Sequence, residues 1–379
     1  MNVDVVIVGA GIAGASLAWQ LAPGRRVLLL EAESQPGMHS TGRSAAMFME
    51  SYGPPQARAL TRAARDFYER PPAGFAEVPL VGPRGALYVA WQGQQAELDA
   101  QQAALQATGT PIERLDAAAA LQRVPVLCAD GLLGALWEAD ALDIDVHALH
   151  QGFLRGARRA GATLWVEAEL QQARHDGGAW QVRLADGRDA SAPVLVDAAG
   201  AWADTVAQRC GVAPLGIQPC RRSAFTFDAP AGLDTRLWPT VAGVREDWYV
   251  KPDAGQLLGS PANADPVPPH DVQPEELDIA TGIAAIERDT TLTIRRPRRT
   301  WAGLRSFSPD GDLVIGFDAR APGFFWLAAQ GGYGIQSAAG AARLAASLLR
   351  GEALPDDLAH HGVEPAALSP RRFQASSSP

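Results

Sequence analysis

The six residues Gly9-Ala10-Gly11-Ile12-Ala13-Gly14 constrain this chain more than any other feature. They follow a β-branched run, Val3 to Val8, which reads as a strand buried on both faces. They precede Ala15 to Ala22, which reads as a helix stopped by Pro23-Gly24. Val27 to Leu30 is a second buried strand and ends at Glu31. Strand, G-x-G-x-x-G turn, helix, strand and acidic residue together make a βαβ dinucleotide unit. Gly9 permits the tight turn. Gly11 lets the backbone approach a pyrophosphate, and Gly14 lets the helix pack closely on the strand. Ile12 and Ala13 open the helix, whose free N–H groups and partial positive charge suit phosphate. Glu31, with Ala32 beside it, is placed to accept hydrogen bonds from ribose hydroxyls. Its charge disfavours a 2′-phosphate.

At 379 residues the chain exceeds the size at which one core keeps growing, so two domains are expected. Hydrophobic residues make up 47%, enough for a large core in a globular protein. The net charge of -9 argues against a general nucleic-acid binder. Lys251 is the only lysine, so anion sites fall to arginine or backbone N–H groups. Cys128, Cys210 and Cys220 form no C-x-x-C pair, and their odd number suits a reduced compartment without a disulfide framework. No metal site is expected. The chain opens directly into a strand, without a signal-peptide pattern or an apolar run long enough to span a membrane. A cytoplasmic protein is expected.

Further along, 35–53 reads as an ordered loop with a short helix. Helices are expected at 56–70, 94–107, 144–159, 277–288 and 335–349. Strands are expected at 80–91, 164–168, 290–306, 313–316 and 324–327, with several short ones within 215–260. Trp180–Leu184 and Val194–Val196 read as a hairpin-like stretch, 261–276 as a surface loop, and the end from about 366 as frayed. The fold class expected is α/β with two domains. One is a Rossmann-like domain with a parallel sheet, drawn from 1–79, 143–212 and 303–370. The other is a substrate domain with a mostly antiparallel sheet, drawn from 80–142 and 213–302.

Two features favour FAD over NAD. The strand from Val194 ends in Asp197-Ala198-Ala199-Gly200-Ala201-Trp202, whose small residues suit packing against a flat cofactor. Gln330-Gly331-Gly332-Tyr333-Gly334 opens the last helix at Ile335. A positive helix end there would stabilise the negative charge of a reduced flavin.

These segments resemble the D-amino-acid oxidase family of FAD oxidoreductases. So do His39-Ser40-Thr41-Gly42-Arg43-Ser44-Ala45-Ala46 and Ala302-Gly303-Leu304-Arg305-Ser306. The resemblance spans essentially the whole chain. It extends to Arg221–Phe225, Lys251–Gly255 and Gly259–Asp265, and is strongest toward the bacterial D-arginine dehydrogenases of that family. It implies noncovalent FAD held by the glycine turn, Glu31, Ala32, Ser40, Thr41, Gly42, Ser44, Ala45 and Ala46. Glu169, Leu170, Ala199, Gly200, Trp202, Arg305 and Gly331 to Ile335 would complete the cofactor contacts. It implies hydride transfer from a substrate Cα to flavin N5, then hydrolysis of the imine to a keto acid and ammonia.

A substrate carboxylate needs a charge-assisted, preferably bidentate partner. The resemblance assigns that role to Arg305 and Tyr249 first, then Tyr52 and Arg222. They orient the substrate, and no dedicated base is required. The side-chain pocket falls to Met47, Met49, Glu50, Ala86 and Gly332. Those relatives have histidine at Met47, threonine at Met49 and an acid at Ala86. The changes are all toward apolar groups, and a buried cation without a carboxylate partner is costly. Larger apolar or neutral D-amino acids are therefore expected in preference to D-arginine and D-lysine. Glu50 would reverse this if it faced the pocket. An amine or N-methyl amino-acid oxidase, and a flavin-binding protein without turnover, remain as alternatives. Oxygen and a quinone are both open as electron acceptor.

Overall fold

The computed structural model describes residues 1–374. Its six-stranded sheet runs in the order Val314–Phe317, Phe324–Ala328, Val194–Asp197, Val5–Val8, Val27–Leu30, Thr163–Trp165. All neighbours are parallel except Val314–Phe317, which is antiparallel to Phe324–Ala328. Both faces are covered, which explains the uninterrupted apolar strands. Val5, Ile7, Val27 and Leu29 pack beneath the helices Ile12–Leu21, Pro55–Glu69, Val146–Arg159 and Gly334–Arg350. Val6, Val8, Leu28 and Leu30 pack on the opposite side, toward helix Ala203–Arg209 and a small antiparallel sheet.

The larger sheet has nine strands. Gln218–Phe227 pairs with Arg299–Phe307, Gln256–Ser260 and Asp265–Pro266. The order continues through Tyr249–Asp253, Thr240–Gly243, Ala86–Trp91, Leu132–Glu138 and Glu113–Asp116. Every pairing is antiparallel except Thr240–Gly243 with Ala86–Trp91. Its side chains alternate. Leu87, Val89, Phe225, Val241 and Val250 enter a core with helix Glu276–Asp289, while Ala86, Tyr88, Arg222, Ala242 and Tyr249 face a cavity. The result is a mixed α/β two-domain fold with parallel and antiparallel sheets.

Several expectations change. Residues 35–53 form turns and the two-residue strand Met47–Phe48, with no helix. Trp180–Leu184 pairs with Leu170–Asp176 and Asp189–Ala192, not with Val194–Asp197, which belongs to the parallel sheet. The strand expected at 290–306 begins only at Arg299, after Pro297, which offers no ladder N–H. The end is ordered through the short helices Pro365–Leu368 and Arg371–Gln374, and Leu368 is fully buried. The remainder of that expectation, 375–379, lies outside the described residues. Strands Glu113–Asp116 and Leu132–Glu138 were not expected.

Candidate active site

A cavity of about 600 Å³ lies where the two sheets meet. At one end its wall is mostly backbone. Gly9, Gly11, Ile12 and Ala13 line it from the first turn, and Gly331, Gly332, Gly334 and Ile335 from the last helix. Neither helix N-terminus carries a side-chain cap from its own N-cap residue, so both positive ends stay directed at the cavity. Gly9 has φ +100°, and a Cβ there would lie 2.5 Å from Ala198 O. Gly14 does not line the cavity. A Cβ on it would lie 1.9 Å from Gly9 O, so its role is the close packing of helix on turn.

Glu31, Ala32, Ser40, Thr41, Ser44, Ala45 and Ala46 line the same end, as do Glu169, Leu170, Ala199, Gly200 and Trp202. The Thr41 hydroxyl accepts from Ile12 N (3.0 Å), and the Ser40 hydroxyl donates to Leu304 O (2.6 Å). Glu31 accepts from Ala10 N (3.2 Å) and Glu33 N (3.1 Å), and burial holds its carboxyl above the usual range. Buried Asp197 accepts from Ala199 N (3.1 Å) and so fixes the strand end. Gly42 packs against Gly37 O behind the wall. Tyr333 also lies outside the wall, its ring against Gly53, Gly331 and Tyr52.

The other end is made of side chains. Arg222 and Arg305 sit on paired strands, where Cys220 faces Arg305 and Arg222 faces Gly303. They are therefore diagonal neighbours on one face of the sheet. Arg305 donates to Tyr52 Oη (3.2 Å), and Arg222 donates to Asn263 O. Neither has a carboxylate partner among the described residues, whereas Arg221, on the opposite face, has Asp265, Glu275 and Asp278. Burial and the neighbouring Arg305 lower the Arg222 pKa. At Arg305 burial also opposes charge, but the Tyr52 and Tyr249 oxygens outweigh it and the pKa rises. Tyr52, Tyr249 and both arginines line the cavity together.

Met47, Met49 and Ala86 line the adjoining wall with Thr240 and Ala242. Glu50 does not. It is ion-paired to Arg65 on helix Pro55–Glu69. Several lining residues had no role assigned from the sequence, among them Tyr88, Glu246, Gln330 and Lys251. Tyr88 lies two residues beyond Ala86 on its strand. Glu246, exposed and at φ +54°, stands at the rim. Gln330 lines the wall with its buried Nε2 lacking a partner, and Lys251 is held by Asp143 (2.7 Å). The signal for Tyr88 was the period of two along the strand. Gln330 lies in the glycine turn that opens the last helix and Lys251 in the Lys251–Gly255 segment, so each had a motif but no assigned role, while Glu246 had neither.

Two helix N-termini of glycine-rich turns, facing a half-buried cation pair across one cavity, define an enzyme of the flavin-dinucleotide class. The turn spaces that a Cβ would fill and the orphan amide of Gln330 fit such a cofactor. The pattern of the family described as FAD dependent oxidoreductase matches residues 4–348, and the chain belongs to that family, with FAD as its cofactor. Among curated relatives it is similar to glycine oxidase of Geobacillus kaustophilus (strain HTA426), with 27% identity over 267 residues, 67% of this chain and 68% of that protein. It is 24% identical over 216 residues to L-2-hydroxyglutarate dehydrogenase of Salmonella houtenae, covering 56% of this chain and 50% of that one. Its fold matches the crystal structure of Geobacillus kaustophilus glycine oxidase with a TM-score of 0.81 at 22% identity, covering 96% and 98% of the two chains. Iminodiacetate oxidase from Chelativorans sp. BNC1 matches with a TM-score of 0.78 at 24% identity, covering 97% and 98%. Among the described residues no helix is long and apolar enough to cross a membrane, and no acidic, histidine or cysteine group is arranged to hold a metal.

Proposed function

We propose that this chain catalyses FAD-dependent oxidative deamination of D-amino acids with neutral or apolar side chains. The observation that carries the reading is the pair of half-buried arginines, Arg222 and Arg305, on one sheet face without an acidic partner among the described residues. Such a pair awaits an anion, and a planar carboxylate suits the arginine fork. Simple amines lack that group. The preference for the D series rests on the family resemblance.

Bound noncovalently, FAD supplies the hydride acceptor at its flavin N5. The chain's residues hold the substrate for that transfer. Arg305 and Arg222 grip the carboxylate, with the Tyr52 and Tyr249 hydroxyls lining the same end of the cavity. With the carboxylate fixed, Cα–H has one orientation, and orientation supplies much of the rate. Two nearby cations lower the pKa of the substrate ammonium, so the amine loses its proton without a dedicated base. What the chain supplies is an oriented Cα–H and a neutral amine, whose lone pair would form the C=N bond as the bound flavin took the hydride. Water then adds to the imine to give the keto acid and ammonia.

The side-chain wall of Met47, Met49, Ala86 and Ala242 offers no buried carboxylate to a guanidinium or ammonium. Glu50 is spent on Arg65, and Glu246 sits in solvent, where its charge is screened. We also assign 1–79, 143–212 and 303–370 to the cofactor domain and 80–142 and 213–302 to the substrate domain. The 302/303 boundary falls inside strand Arg299–Phe307, so the strand bearing Arg305 links the two.

Purified protein should be yellow and should bleach anaerobically with D-leucine, D-methionine or D-phenylalanine. Their kcat/KM should exceed that of D-arginine. A preference for D-arginine overturns the side-chain assignment. A flavin reduced by L-leucine or glycine but by no D-amino acid overturns the stereochemical one.

A further inference from the structure

Tyr52 reaches Arg305 from a tight turn, residues 49–53, whose other members are all tied to the scaffold. Met49 N donates to Gln336 Oε1 (3.2 Å), and Gln336 Nε2 donates to Tyr52 O (3.2 Å). Glu50 is ion-paired to Arg65, and Gly53 O accepts from Arg58 Nη1 (2.7 Å). The Ser51 hydroxyl donates to Glu138 Oε2 (2.8 Å). Glu138 ends strand Leu132–Glu138 in register with Ala86 and is 1% exposed. Cross-strand partners share a face, so this carboxyl lies beside Ala86 on the face that Ala86 and Tyr88 turn to the cavity, covered by the 49–53 turn rather than lining the cavity itself. Ser51 is also within hydrogen-bonding reach of the Tyr88 phenol.

We propose that Glu138 is a positioning residue, which through the Ser51 hydroxyl fixes the 49–53 turn and thereby sets Tyr52 against Arg305. The inference rests on the reading of Arg305 and Tyr52 as carboxylate ligands. Of the ties on this turn, the Glu138 tie is the one whose charge changes near neutral pH. Burial pushes its carboxyl up to about 7, with Asp140 and Glu50 adding to the effect. The Ser51 hydroxyl and Arg65 oppose it. These groups face it from the turn, from the following loop and from helix Pro55–Glu69, and Tyr88 faces it from the neighbouring strand. Ionisation places an extra negative charge beside the wall and repels Glu50, so a bound carboxylate is held less well.

Propanoate tests this, because it has a carboxylate and no amine to titrate. Its binding to the holoenzyme is read from the flavin difference spectrum between about pH 6 and about pH 9. Its Kd should rise roughly threefold to tenfold across that range. Glu138→Gln should hold the low-pH value throughout. Ser51→Ala should weaken binding at every pH, by roughly tenfold, and Ser51→Thr should restore it. A Glu138→Gln protein that keeps the full pH dependence, or a Ser51→Ala protein that binds normally, overturns the proposal. Arg305→Ala separates the two levels. If it binds propanoate normally, the carboxylate reading falls and this proposal with it. If it loses binding while Glu138→Gln changes nothing, only the Glu138 assignment falls.

Discussion

The two ends of the cavity are built by opposite means. The cofactor end is read by backbone, through two glycine turns and two helix N-termini that a side chain would obstruct. The end proposed for the substrate is lined by side chains from strands far apart in sequence, namely Ala86 and Tyr88, Arg222, Thr240 and Ala242, Tyr249 and Arg305. Backbone recognition demands contiguous residues at fixed spacing, whereas side-chain recognition demands only that a fold bring distant positions to one face. The first end is rigid in sequence and tolerates little. The second can change one wall at a time.

Breaking the first end should cost most. Gly9→Ala places a Cβ against Ala198 O at a backbone angle that suits glycine, so the strain should exceed about 3 kcal/mol. Flavin absorbance per protein after purification should fall close to zero. At the other end, Arg305→Ala should lower kcat/KM at least ~100-fold with flavin content unchanged, since a buried charge partner of the substrate is lost. Arg222→Ala should cost less, because it also relieves a like-charge repulsion on Arg305.

A smaller effect sharpens the contrast through pH. Glu138 has a folded pKa near 7, above the ordinary 4.5 of a free glutamate. Below the ordinary value both states are protonated. Between the two values the unfolded chain has released the proton and the folded chain retains it, so stability falls as pH rises through this window. Above about 7 the penalty is complete, on the order of 3 kcal/mol at most. Glu138→Gln should therefore raise Tm more at pH 8 than at pH 5 in a thermal melt. Smaller still, Ala86→Glu should shift the ratio of D-arginine to D-leucine kcat/KM by ~10-fold toward arginine. The smallest effect is expected at the exposed Arg43–Asp271 pair. Asp271→Asn should change stability by less than about 1 kcal/mol and leave flavin content intact.

The same contrast explains what the sequence disclosed. The βαβ unit was legible because its strand, turn, helix and acid are contiguous, and the two buried strands show no polar interruption. Gly14 was legible as a packing residue for the same reason. The residues proposed to read a carboxylate came from resemblance, because nothing in the residues around Arg222 and Arg305 tells that strands Gln218–Phe227 and Arg299–Phe307 lie side by side. Glu138 was invisible. It ends a strand whose neighbour, Glu113-Arg114-Leu115-Asp116, is too polar to show a period. Glu50 and Glu246 could not be told apart by sequence. One is ion-paired to a helix, and the other lies at the rim through a loop tied by Arg245–Glu97 and Asp247–Arg288.

Strand Arg299–Phe307 has a consequence of its own. Ala302 O accepts from Arg43 and Leu304 O from Ser40, both in the loop beside the first glycine turn, and Ser306 O accepts from Gly331 N of the last one. Between these ties stands Arg305. On the proposed reading of Arg305, the strand acts as a ruler, fixing the distance from the carboxylate grip to the flavin whatever the substrate carries beyond Cα. The side-chain walls hang on other strands. A lineage with this scaffold can therefore drift from one amino acid to another while the reacting carbon stays at the same station.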